Sequence, residues 1–132
     1  MKNLGIIIWV LRLTAAIIML QTLAYKFTAD PASIHIFSTL GIEPWGRIGT
    51  GILELIASIL LLVPRTSWLG AVLGLGLMSG AIFSHAFVLG INVMDDGGKL
   101  FALAVVTFVC CAALVFIARN KILSLVRSAI GA

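Results

Sequence analysis

Charge is what this sequence has least of. Only 14 of 132 residues carry a formal charge, nine basic and five acidic, which is 11% against 61% hydrophobic residues. Soluble globular domains carry roughly 25% charged residues. A small domain leaves a large share of its chain facing solvent, and a mean hydropathy of +1.20 leaves little polar surface to put there. Lipid is therefore the expected solvent. This excludes a cytosolic enzyme, a nucleic-acid-binding module and a disordered tail. The net charge of +4 reads as membrane topology and lipid contact, not as a phosphate-binding surface.

Other scarcities exclude particular chemistries. The two cysteines, Cys110 and Cys111, are adjacent. Neighbours on a helix project about 100° apart, which disfavours a disulfide between them. They read as small core hydrophobes, and a four-helix quinone-linked disulfide oxidase, which needs a C-x-x-C, is set aside. The two histidines, His35 and His85, stand far apart and no H-x-x-x-H spacing exists, so no metal is expected.

Apolar runs are abundant. A helix crossing the hydrocarbon needs about 20 mostly apolar residues, and four stretches qualify, at about 4–25, 46–64, 67–91 and 98–118. The breaks are polar: Lys26 to Trp45, with Asp30-Pro31, Gly41 and Glu43-Pro44; Pro64-Arg65-Thr66-Ser67; and Asn92 to Gly98, with Asp95-Asp96-Gly97-Gly98. In lipid only helices and closed barrels satisfy their backbone. The runs lack barrel-strand alternation. The expected fold is an all-α integral membrane protein, one domain over residues 1–132, with a four-transmembrane-helix bundle. Arg12 interrupts the first run and no A-x-A-like site follows Leu23-Ala24-Tyr25, so that run reads as an uncleaved span, not a signal peptide.

Lysine and arginine in short loops set orientation. Four spans put Lys2, Arg65, Arg119, Lys121 and Arg127 on one side. Lys26, Arg47 and Lys99 fall on the other, with all four loop acids, Asp30, Glu43, Asp95 and Asp96. Both termini are therefore expected in the cytoplasm. Between the first two spans, Asp30-Pro31 is an N-cap followed by proline at the first helical position. A short interfacial helix at about 31–41 is expected there, with Ile34, Phe37 and Leu40 on one face and Trp45 as anchor. The tail, 119–132, has an apolar stripe of Ile122, Val126 and Ile130 opposite Asn120, Lys121, Ser124, Arg127 and Ser128. Two readings stand open: an amphipathic helix on the anionic inner leaflet, or a frayed continuation of the fourth span.

Charged groups inside a span cost roughly 2.5–3.5 kcal/mol each on insertion scales. Arg12, Glu54 and His85 therefore call for a reason. Counting about 1.5 Å per residue, Arg12 of the first span and Glu54 of the second come within about one turn in height, so an Arg12–Glu54 ion pair is expected. Such a pair would hold register or serve function; alternatively Arg12 would snorkel to the headgroups and leave Glu54 free. Arg47, Thr50, Glu54 and Ser58 share a narrow arc, a polar face turned into the bundle. His85 shares the Gly74, Met78 and Ala81 face of the third span and reads as either a packing residue or a ligand and proton handler. Gln21, 900° of helix rotation from Arg12, points away from it. Gly70-x-x-x-Gly74 and Gly76-x-x-x-Gly80 allow close approach, within the bundle or along a homodimer seam.

These elements in this order resemble the DoxX family of small four-helix bacterial membrane proteins. The resemblance runs from about Leu11 to Ala118. It rests on Arg12, Tyr25-Lys26-Phe27 with Asp30-Pro31, Leu40-Gly41-Ile42-Glu43-Pro44, Gly51-Ile52-Leu53-Glu54-Leu55, Leu60-Leu61-Leu62-Val63-Pro64-Arg65 and His85. The family is similar to the small membrane subunit of thiosulfate:quinone oxidoreductase, and some members are linked to membrane redox or sulfur metabolism. The resemblance thus implies a membrane subunit or binding protein for a quinone or similar lipid-soluble ligand, working with a redox protein partner. Arg12, Glu54 and His85 would line the polar end of its site, with Tyr25 and Lys26 near the outer mouth. Two other readings remain: a proton-coupled small transporter using Glu54, and a structural or assembly protein without ligand.

Overall fold

The computed structural model describes residues 2–93 and 96–131. The loop acid Asp95, the side chain of Lys2 and the last residue of the tail, Ala132, lie outside the described residues. Among the described residues six α-helices follow one another: α1 (Lys2–Phe27), α2 (Pro31–Thr39), α3 (Trp45–Leu62), α4 (Ser67–Ser84), α5 (Lys99–Ile117) and α6 (Arg119–Ala129). A 3₁₀ turn over Pro64–Thr66 joins α3 to α4, and a wider π turn over His85–Leu89 prolongs α4. Four helical stretches, Asn3–Phe27, Trp45–Leu62, Pro64–Leu89 and Lys99–Ile117, are long and apolar enough to cross a membrane. Among the described residues there is no strand. The chain is the all-α membrane protein its composition requires.

Local chemistry explains where the helices stop. At the exit of α1, Asp30 N–H bonds to the Tyr25 carbonyl at 3.0 Å while Ala29 takes φ +56, a left-handed closure usually given to glycine. Asp30 then caps α2: its Oδ2 accepts from Ala32 N–H at 3.1 Å, and Pro31 supplies the first helical position. The α2 helix ends at Thr39 because the chain turns at Leu40 and Gly41, where φ is +77. The third spanning stretch stops at Leu89, two residues short of the apolar run, because Gly90 turns the backbone to φ +80.

The spanning helices form a ring in which α1 packs on α3 and α5, and α4 packs on those same two. Neighbours run antiparallel, as Arg12 against Leu61 on α1 and α3 and His85 against Phe101 on α4 and α5 make plain. The centre is built of small and flexible side chains: Ala15, Ala16, Met19, Ala57, Leu61, Ala71 and Cys111 are all fully buried. Lipid is as apolar as leucine, so close packing must hold these helices together. Gly70 provides the closest approach: a Cβ there would lie 2.7 Å from Leu61 N and 2.8 Å from the Ala57 carbonyl oxygen. Gly74 faces Cys111, whose Sγ would be 2.8 Å from an added Cβ. Outward-facing side chains are large and apolar, Ile6, Ile17, Phe87 and Phe116 among them, as a lipid-facing surface demands.

Two elements stand apart from the ring. The α2 helix touches α1, α3 and the π turn, so it covers the end of the bundle where α1 finishes, with Phe37 buried beneath it. At the opposite end Ala118 leaves helical geometry at φ −92, ψ 7. Arg119 secures that corner by donating from Nη1 to the Phe116 carbonyl at 2.8 Å, its guanidinium 4.2 Å from the Phe116 ring. The tail is therefore a helix of its own, α6, and not an unbroken extension of α5.

Candidate functional site

Under α2 the ring opens into a cavity of about 340 Å³, walled by α1, α2, α3, α4 with its π turn, and α5. Four of the five residues singled out in the sequence line it: Tyr25, Lys26, Glu54 and His85. Arg12 does not. The remaining wall is mostly apolar, with Phe37 of α2, Met78 and Leu89 from the α4 side, and Leu103 of α5.

The polar centre of the cavity is a buried ion pair. Lys26 Nζ lies 2.7 Å from Glu54 Oε1, with the two side chains 15% and 2% exposed. Thr22 Oγ1 donates to Glu54 Oε2 at 2.6 Å, so both carboxylate oxygens are engaged. Ser58 Oγ donates to the Glu54 main-chain carbonyl at 2.7 Å. Of the arc Arg47, Thr50, Glu54 and Ser58, Thr50 is half-buried and the other three are buried. Arg47 joins α1 to α3: Nη1 donates to the Lys26 carbonyl, and Nε reaches the two Glu43 oxygens at 2.8 and 3.1 Å. That cation serves the C-terminal carbonyls of α1 and leaves the Lys26 ammonium free to turn inward.

The expected Arg12–Glu54 pair is not formed. Arg12 is buried, donates from Nε to the Leu61 carbonyl at 2.6 Å, and lies with its guanidinium 3.8 Å from the Trp9 ring. Among the described residues its Nη2 has no partner. The error lay in height. Side chains on a helix lean toward its N-terminus. On α1 this carries Arg12 away from Glu54, down to the last turn of α3, where a cation meets unpaired carbonyls. The same lean brings Lys26 back into the bundle. Glu54, on an antiparallel helix, leans toward it. Thr22, which sequence reasoning missed, had a signal: it stands four residues before Lys26 and therefore on the same face.

At the far wall His85 begins the π turn, and its Nδ1 lies 3.0 Å from the Gly90 carbonyl. A carbonyl can only accept, so Nδ1 carries the proton and Nε2 of the neutral ring is an acceptor. The ring meets Phe101 edge-on, 5.8 Å between centroids. The following loop is organised by Asp96, whose carboxylate accepts N–H bonds from Val93, Gly98 and Leu100 at 2.8–3.1 Å. Burial works against its charged form, but these three N–H donors outweigh it and hold the Asp96 carboxyl below its ordinary value.

Tyr25 is 42% exposed and forms part of the rim. Gly76 and Gly80 border the cavity and have no atom within 4 Å of an added Cβ, whereas Gly70 and Gly74 are consumed by packing inside the ring. Cys110 and Cys111 are free, buried thiols of α5 outside the cavity wall. Among the described residues no group of His, Cys, Asp and Glu could hold a metal ion.

The family model DoxX matches residues 7–87, more than half of the chain, and so takes in Arg12, Lys26, Glu54 and His85. Neither the curated proteins nor the solved structures gave a match. With four helices long and apolar enough to span a bilayer and this match over α1 to the π turn, the chain is a membrane protein of the DoxX family.

Proposed function

We propose that the chain is a membrane subunit or binding protein for a lipid-soluble ligand with a flat polar head, a quinone first of all, in a redox-linked complex of the bacterial inner membrane with both termini cytoplasmic. The observation that carries this reading is the cavity: apolar walls around one buried ion pair and one histidine. Ligand pockets share that composition, apolar lining with a few placed polar groups. Lys26, and not Arg12, donates to a ring oxygen. Glu54 accepts or relays a proton, and His85 Nε2, an acceptor, takes a hydrogen bond from the second hydroxyl of the reduced ring. Reducing a quinone to a quinol adds two electrons and two protons. The cavity wall supplies no redox group among the described residues, so the electrons come from a redox protein partner.

Mass spectrometry of organic extracts from protein purified in mild detergent tests the proposal, with Glu54→Gln and Lys26→Met as controls that still elute as one species. A quinone near stoichiometric in the wild type and depleted in the folded variants is expected. Phospholipid alone in all three samples overturns it in favour of a scaffold without ligand.

A further inference from the structure

Among the described residues the α6 helix packs chiefly against the end of α5. Yet Leu123, Leu125, Val126 and Ile130 are between 42% and 72% exposed. At about 100° per residue they share one arc of about 160° with Ile122 and Ala129, interrupted only by Arg119, whose guanidinium turns back onto Phe116. The opposite arc, about 120° wide, holds Asn120, Ser124 and Ser128, with Lys121 at one edge and Arg127 at the other. No acid lies anywhere on the helix. Arg119 fixes its first turn against Phe116, the last aromatic of a spanning helix. Arg65, in the turn joining α3 to α4, adds an exposed cation at the same end of the bundle.

From this geometry we infer that α6 is a docking helix for anionic phospholipid, lying flat in the bilayer surface where α5 emerges, its apolar arc in the acyl boundary and Lys121 and Arg127 reaching lipid phosphates. Continuity supplies the first argument. One non-helical residue, Ala118, separates α6 from the end of a spanning helix, so α6 begins at the interface. Charge supplies the second. Cations at both edges of a polar arc sit level with the headgroups when the apolar arc is immersed, and an acid-free helix meets an anionic surface without repulsion. The inference is independent of the cavity and of any ligand in it.

Amide hydrogen exchange of the full chain in nanodiscs tests it, comparing phosphatidylcholine alone with an equal mixture of phosphatidylcholine and phosphatidylglycerol. Residues 119–129 should exchange more slowly in the mixture, and added salt should erase the difference. Lys121→Gln and Arg127→Gln should each cut protection in the mixture by about fivefold, the usual worth of one cation near an anionic surface, and should leave α1 to α5 unchanged. Val126→Asp should lower protection in both bilayers. Equal exchange of wild-type α6 in the two bilayers overturns the inference. So does protection that follows the number of chains per disc, which would assign the apolar arc to a second copy.

Discussion

Alanine at the four glycines of α4 puts the packing to a graded test. At Gly70 the added methyl would come within 2.7–3.0 Å of main-chain atoms of Ala57, Leu60 and Leu61. Backbone cannot swing aside, so α3 and α4 must separate. Overpacking of this kind costs about 1–3 kcal/mol, and the helix-propensity gain of alanine over glycine, at most about 1 kcal/mol, returns only part of it. Gly70→Ala should therefore lose about 1–2 kcal/mol net. At Gly74 the nearest atom is Cys111 Sγ at 2.8 Å, with Met19 Cε next at 3.5 Å; both are ends of side chains, so Gly74→Ala should cost less, and Cys111→Ala should rescue it. Gly76 and Gly80 have nothing within 4 Å, so alanine there should be neutral or slightly stabilising. Thermal unfolding of the four purified variants in one detergent gives the ranking. Gly76→Ala or Gly80→Ala as damaging as Gly70→Ala would refute the reasoning and would mean that this face packs on another copy.

Further outcomes follow from the site and its loops. Lys26→Met alone strands a buried carboxylate and should cost about 3–5 kcal/mol, while Lys26→Met with Glu54→Gln should recover most of it; a double variant no better than the single would deny the pair, and thermal unfolding reads both. Because Asp96 is held below its ordinary value of 3.8, its contribution is complete above that pH and is lost as pH falls through its lower folded value. Asp96→Asn should remove this acid limb and speed amide exchange at Val93, Gly98 and Leu100 at neutral pH; an acid limb unchanged from wild type would dismiss the carboxylate as organiser of the loop. Ala29→Gly relieves a left-handed alanine at φ +56 and should stabilise by up to about 1 kcal/mol; a lower unfolding temperature would count against that backbone geometry.

Composition and periodicity alone determined the solvent, the helix class and most helix ends. Asp30-Pro31 and Gly41 act through nearest neighbours on the chain, so their effect is written locally. The polar arc of α3 was legible for the same reason: 3.6 residues per turn puts Arg47, Glu54 and Ser58 on one side whatever they face. Tertiary structure alone decided partners. Arg12 and Lys26 are fourteen residues apart on nearly the same face of α1, so both were eligible for Glu54, and the choice fell to helix register and side-chain lean. Small offsets along antiparallel helices decide such contacts, and single-helix periodicity does not encode them. Gly70 and Gly74 likewise share their spacing with Gly76 and Gly80, yet only the first two meet a neighbouring helix. The π turn that seats His85 arises from its bond to Gly90 beyond the helix end, and the cavity itself exists only because α2 folds back over the ring, a closure that involves five separate segments at once.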